Sequence, residues 1–161
     1  MRYAFRPVTW DDFPMLEHWL HTPEVVRWWG APAEELALLR ADMDEPGMTM
    51  LIVTGDDVPF AYAQHYAVHT WPQPHLAHLP PGSRAIDAFI GEPAMLGGGH
   101  GSVFLRRLAE QLRANGARLV AIDPSADNVR AQRAYASAGF RGDEIVETDA
   151  GPAVLMLFGT P

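Results

Sequence analysis

The 161-residue chain contains no cysteine. That excludes a disulfide framework, a thiolate nucleophile, an iron–sulfur site and any cysteine-based zinc site. Basic residues are scarce: 12 Lys and Arg stand against 20 Asp and Glu, for a formal net charge of −8. Nucleic-acid binding normally rests on a basic excess, so no nucleic-acid partner is expected. No apolar run approaches the ~20 residues of a membrane span. The opening MRYAFRPVTW lacks the long apolar core of a signal peptide. A soluble, cytoplasmic protein with no membrane partner is the expectation.

The apolar fraction, 48%, suits a globule and is too high for a disordered chain. The length suits one domain over residues 1–161. No internal repeat or low-complexity tail is visible. The negative field attracts cations and so suits an amine-bearing substrate; it equally serves solubility.

Periodicity predicts an opening strand over 3–8, then a helix over 10–20 with Phe13, Leu16, Trp19 and Leu20 on one face. A short helix follows over Pro23 to Trp28 and a third over Ala33 to Met43, ended by Glu45-Pro46-Gly47. Strands are expected over 48–54 and 58–69, joined as a hairpin across Gly55-Asp56-Asp57. Residues 70–83 hold four prolines and one glycine and read as a long irregular loop, in which His75 and His78 are expected to be solvated. A strand over 84–90 leads to the glycine turn LGGGHG (96–101), a helix over 101–115, a strand over 117–123, a helix over 126–138, and strands over 140–147 and 153–158. The order implies an α/β protein, with a mixed sheet flanked by helices on both faces.

The glycine turn carries the sharpest chemistry. Glycines at a helix start expose backbone N–H groups, which bind phosphate oxygens together with the positive end of the helix dipole. The turn is not a Walker A loop, because Gly101-Ser102 lacks the lysine, and its G-x-G-x-G spacing is not the dinucleotide fingerprint. A helix entry without a ligand is the plain alternative. The second signal is DPSADNVRAQRAYASAGF (123–140), with Ala131, Tyr135 and Ala138 on one helical stripe.

Together these segments resemble the GNAT superfamily of acetyl-CoA-dependent N-acetyltransferases. Its pyrophosphate motif Q/R-x-x-G-x-G/A aligns with Leu96 to Gly101, with Leu96 replacing Gln or Arg; its N-x-x-A-x-x-x-Y-x-x-x-G-F motif is met by Asn128, Ala131, Tyr135, Gly139 and Phe140. HWLHTPEVVRWWG (18–30), YAQHY (62–66), RAIDAFIGEPAMLGGGHGS (84–102) and GPAVLM (151–156) are similar to the aminoglycoside 6'-N-acetyltransferases, and siderophore-type lysine acyltransferases share part of the pattern. Two departures leave fewer anions for an acceptor: the loop TWPQPHLAHLPPGSR carries Trp71 but no carboxylate, and Asp149 stands one position early before Gly151.

The resemblance implies a mostly antiparallel GNAT-type sheet, acetyl-CoA as co-substrate, no metal, and a small-molecule amine as partner of a monomer or homodimer. Asp87 would bind the ammonium and accept its proton, and Tyr135 would protonate the leaving thiolate. Backbone N–H groups of Phe89, Ile90 and Gly91 would hold the thioester carbonyl. Gly97, Gly98, Gly99, His100, Gly101 and Ser102 would take the pyrophosphate, with Asn128 and Tyr135 along the pantetheine arm. Trp28, Trp29, Gln64, Tyr66, Trp71, Asp87 and Asp123 would contact the acceptor. With no cysteine, direct attack in a ternary complex is the route. Plainer roles stay open: Asp87 as a turn cap, Tyr135, Trp28 and Trp29 as core aromatics, Asn128 as a helix cap, and Asp123 as a turn-starting residue. His65 and His69 share a strand face but lack a carboxylate partner for a metal. The rival functions are acetylation of a siderophore-type lysine derivative or another amine, and a non-catalytic acyl-CoA-binding module.

Overall fold

The structure is a computed structural model that describes residues 1–159. Its seven strands form one sheet in the order β1-β2-β3-β4-β5-β7-β6. The chain divides into two compact units, with boundaries inside β3, between Gln64 and His65, and inside β4, between Asp87 and Ala88.

The first unit comprises Met1–Gln64 and Ala88–Gly98. β1 (Tyr3–Pro7) pairs antiparallel with β2 (Met48–Gly55), from Tyr3↔Gly55 to Pro7↔Leu51. Between them run α1 (Phe13–Leu20), α2 (Pro23–Trp29) and α3 (Pro32–Asp42). Each helix has proline in its first turn, where the missing N–H would have had no intrahelical acceptor and the fixed φ already suits the helix. The predicted face of α1 is the buried one: Phe13, Leu16, Trp19 and Leu20 sit in the core with Tyr62 and Phe89. A two-residue turn, Asp56 (φ 48) and Asp57 (φ 69), joins β2 to β3 (Val58–Ala67). Two left-handed residues in succession match the right-handed twist of a hairpin.

The second unit comprises His65–Asp87 and the chain from Gly99 onward. Here β4 (Arg84–Ile90) pairs parallel with β5 (Val120–Ile122) through Arg84↔Val120 and Ala85↔Ala121. β7 (Gly151–Phe158) pairs antiparallel with β5 and with the edge strand β6 (Arg141–Thr148). The helices are α4 (His100–Ala114) and α5 (Val129–Ala138).

Several element ends differ from expectation. α4 begins at His100, because Gly99 in the left-handed region (φ 81) is its N-cap. β5 begins at Val120 rather than 117, because the Ala117 N–H closes α4 on Leu112 O and the Arg118 N–H goes to Gly82 O. α5 begins at Val129 rather than 126, because residues 126–128 form a turn in which the Ala126 N–H bonds Pro152 O and the Asn128 N–H bonds Ser125 O. His69 lies beyond the end of β3, and its Nε2 bonds Leu79 O at 2.7 Å.

Loop 70–83 is built rather than loose. It contains a 3-10 turn, Pro74–Leu76, that lies against β6, and Leu76 and Leu79 are buried.

Candidate active site

The second unit gathers two carboxylates and two phenols. Asp87 lies on β4, Asp123 follows β5, Tyr66 is on β3 and Tyr135 is on α5. Burial, then the negative field of Asp87, then that of Asp123 push the Tyr135 phenol above its ordinary range. Tyr66 is pushed up by burial first, then by Asp87 and, less, by Asp123; a hydrogen bond from Gln73 opposes the rise. The Gln73 Nε2 donates to Tyr66 Oη at 2.6 Å, and the Trp71 ring lies 6.3 Å from that of Tyr66. A phenol so placed keeps its proton across the neutral range. It can give a proton to a strong base, but it is no base itself.

His75 is where expectation and structure part. Its side chain is only 4% exposed, and its Nε2 stands 2.7 Å from Asp123 Oδ2. The loop is held by Leu76 and Leu79 and so turns the ring inward instead of into water. Burial raises the proton affinity of Asp123, and the hydrogen bond from His75 opposes that rise. Gln73 and His75 escaped the sequence reading; the buried Leu76 and Leu79 beside them were the available signal that the loop folds inward.

In the first unit the end of β4 packs into an aromatic cluster. Phe89 meets the rings of Trp29, Tyr62 and Trp19 at 5.0, 5.4 and 6.3 Å. Trp29 is thus part of the packing. One face of Trp28 is covered by the Arg27 guanidinium at 4.6 Å, and its Nε1 donates to Glu24 Oε1 at 3.1 Å. Gln64 Oε1 accepts from the Tyr62 hydroxyl at 2.7 Å.

Gly91 corrects an expectation. Its N–H donates to Phe60 O at 2.8 Å, so it is not a donor for a thioester carbonyl. A Cβ at Gly91 would fall 2.1 Å from the Trp19 ring, so glycine is required there by close approach.

The glycine bend fits a phosphate. Gly97 (φ 76) and Gly99 (φ 81) turn the chain into α4, and a Cβ at Gly99 would meet nothing within 4 Å. α-helix geometry leaves the Gly101 and Ser102 N–H groups without an intrahelical acceptor. Gly98 is exposed, and His100, the first residue of α4, is half-buried. The Ser102 hydroxyl donates to Gly99 O at 3.0 Å, so its backbone N–H is the group left for an anion. Asn128 caps α5, its Oδ1 accepting from the Ala131 N–H at 3.1 Å, which leaves its side-chain NH2 for a ligand. Among the described residues no three His, Asp or Glu side chains are grouped to hold a metal ion, and no helix is long and apolar enough to cross a membrane.

A glycine bend that opens a helix, in a chain that also carries buried phenols and carboxylates, is consistent with an acyl-transfer enzyme, and the chain belongs to the acetyltransferase (GNAT) domain family, whose profile matches residues 9–148. It is an N-acetyltransferase, and the mixed, mostly antiparallel sheet is that of its structural neighbours. It is 34% identical over 170 aligned residues to Aminoglycoside N(6')-acetyltransferase type 1 of Klebsiella pneumoniae, covering 96% of this chain and 81% of that protein. A kanamycin resistance protein of Rhizobium radiobacter is 42% identical over 79 residues, 48% of this chain and 72% of its own. AAC(6')-Ib in complex with ribostamycin and coenzyme A superposes with a TM-score of 0.89 at 30% identity, covering 99% of this chain and 94% of that one. The same enzyme with paromomycin and acetyl-CoA gives a TM-score of 0.88 at 31% identity, with 99% and 94% coverage.

Proposed function

We propose that this chain, acting as one domain over residues 1–161, transfers an acetyl group from acetyl-CoA to a primary amine of a small molecule, an aminoglycoside 6'-amine. The observation that carries this reading is the pair of carboxylates, Asp87 and Asp123, whose fields both reach Tyr66 and Tyr135. The similarity to AAC(6')-Ib structures holding aminoglycosides supports it. The enzyme would work in the cytoplasm, as a monomer or homodimer, on a diffusible substrate.

When bound, acetyl-CoA supplies the acetyl group and a thiolate leaving group. Gly97, Gly98, Gly99, His100, Gly101 and Ser102 hold its pyrophosphate through backbone donors, and the Asn128 side-chain NH2 holds the pantetheine arm. The Phe89 and Ile90 N–H groups would polarise the carbonyl. Asp87 binds the acceptor ammonium and takes its proton, because only the neutral amine has a lone pair to give. Tyr135 Oη keeps its proton until a thiolate needs it. Trp28, Trp29, Gln64, Tyr66 and Trp71 position the acceptor.

The test is thiol release from acetyl-CoA in the presence of kanamycin. Turnover is expected. Asp87→Asn is expected to lower it by ~100-fold or more, with coenzyme A still raising the melting temperature. No thiol release with kanamycin or with a panel of other amines would overturn the reading in favour of an acyl-CoA-binding module.

A further inference from the structure

We propose that His75 is a positioning residue for the acceptor: from the proline-rich loop it donates to one oxygen of Asp123 and fixes that carboxylate so that its remaining acceptor positions take a second ammonium of an acceptor with several amines. This rests on the aminoglycoside-acetyltransferase reading above and adds to it a residue that touches the acceptor only through Asp123.

His75 Nε2 and Asp123 Oδ2 are 2.7 Å apart, with side chains 4% and 22% exposed. An ionised carboxylate only accepts, so the ring nitrogen is the donor. That bond engages one oxygen. A carboxylate has two oxygens and about four lone-pair positions, and the residual exposure of Asp123 leaves others within reach of a ligand. A guanidinium in this place would fork onto both oxygens and close them off; an imidazole nitrogen offers a single N–H. The contact also makes an anion tenable here. A carboxylate taken out of water without a donor is better off protonated, and a neutral carboxyl has no charge to offer an ammonium. Burial drives Asp123 that way, and the His75 hydrogen bond opposes it.

The loop holds the ring from both sides. Gln73 Nε2 donates to Tyr66 Oη at 2.6 Å, and Leu76 and Leu79 are buried. Further along, His69 Nε2 stands 2.7 Å from Leu79 O, and Ser83 Oγ donates to Pro80 O at 2.7 Å. A donor anchored this way orients the carboxylate before the ligand arrives, so little ordering is left to the moment of binding. Residues 70–83 contain no Asp or Glu. The loop therefore contributes donors, and it acts on the acceptor's charges through the carboxylate it aims. The phenols in the field of Asp123, Tyr66 and Tyr135, are both held in their neutral form and leave the carboxylate's charge to the ligand.

The test is calorimetry with kanamycin and, separately, with coenzyme A, on the unaltered protein and its variants. Asp123→Asn is expected to weaken kanamycin about tenfold or more. His75→Phe fills the ring's volume without a donor; it is expected to weaken kanamycin to the same extent and to leave coenzyme A within about twofold. His75→Gln, whose amide N–H can replace the Nε2 donor, is expected to stay within about threefold of the unaltered protein. Adding Asp123→Asn to His75→Phe is expected to weaken kanamycin less than about twofold beyond Asp123→Asn alone, because both act through one carboxylate. His75→Leu is a second variant without a donor, should phenylalanine not fit. Unchanged kanamycin affinity in the variants without a donor would overturn the proposal. So would equal weakening of kanamycin and coenzyme A, no restoration by His75→Gln, additive losses in the double variant, or unfolding of both His75→Phe and His75→Leu, since the contact would then serve the fold. Binding needs no turnover. Absent thiol release with intact kanamycin binding thus counts against acetyl transfer alone, and a failed His75 series against the positioning role alone. An unaltered protein that binds no kanamycin would overturn both.

Discussion

At Tyr135 two carboxylate fields and burial act on one hydroxyl, and all three favour the protonated phenol. A group in that state is a poor base and a ready proton reserve for a thiolate, which is basic enough to take the proton as it forms. Tyr135→Phe keeps the ring and its tilted contact with Phe140, 6.4 Å between centroids, and removes only the hydroxyl. Turnover is therefore expected to fall by about 100-fold or more, while the KM for acetyl-CoA moves by less than about threefold. Steady-state kinetics on the two proteins reads this directly. An equal change in both constants would mean that the hydroxyl serves binding rather than proton transfer.

The bend before α4 shows what a single element contributes. Gly99 caps the helix at φ 81, and space is open around the Cβ it lacks. Gly99→Ala is expected to cost about 1–2 kcal/mol of stability, the backbone penalty of a side chain in the left-handed region. It is also expected to weaken coenzyme A binding, because the added methyl stands beside the first-turn N–H groups. Denaturant unfolding and coenzyme A titration measure the two effects separately. This bend was legible in the sequence because it is local: three adjacent glycines between an apolar strand and an amphipathic helix leave few other conformations. The same holds for α1, whose buried face follows its apolar spacing. Element ends were less legible, since α5 starts only where the Asn128 side chain finds the Ala131 N–H. The inward turn of loop 70–83 was hidden for a different reason. His75 and Asp123 are 48 positions apart, and no local pattern shows that a proline-rich segment will meet a strand end that far along the chain. Gly91 was misjudged as a donor because its partner, Phe60 O, belongs to another strand.

For the whole molecule, acid stability depends on groups whose proton affinity folding changes. His65 is half-buried, and its Nδ1 accepts from Arg84 Nε at 3.0 Å and stands 2.9 Å from Arg84 Nη2. Only a neutral ring with its proton on Nε2 can make that contact. Burial, and then the Arg84 charge, push His65 down from 6.5 to about 4. The unfolded chain therefore takes up this proton first, and the stability that neutral His65 contributes is intact above 6.5 and lost as the pH falls toward 4. Asp12 has the same sign at lower pH. Its hydrogen bonds with Arg6, at 2.7 and 2.8 Å, hold its carboxyl below 3.8, and that contribution disappears on further acidification. Glu35 and Asp42 oppose both, because burial raises their proton affinity and protonation relieves a cost. The His65 contribution is isolated by subtraction. His65→Gln keeps an acceptor for Arg84 and cannot titrate, so its melting temperature should fall less than that of the unaltered protein between about pH 7 and about pH 4.5. The gap should open below about pH 6.5 and widen as the pH drops. Parallel melting curves across that range would mean that the imidazole ionises in the folded protein much as it does in the unfolded chain, and the Arg84 contact would then carry no acid sensitivity.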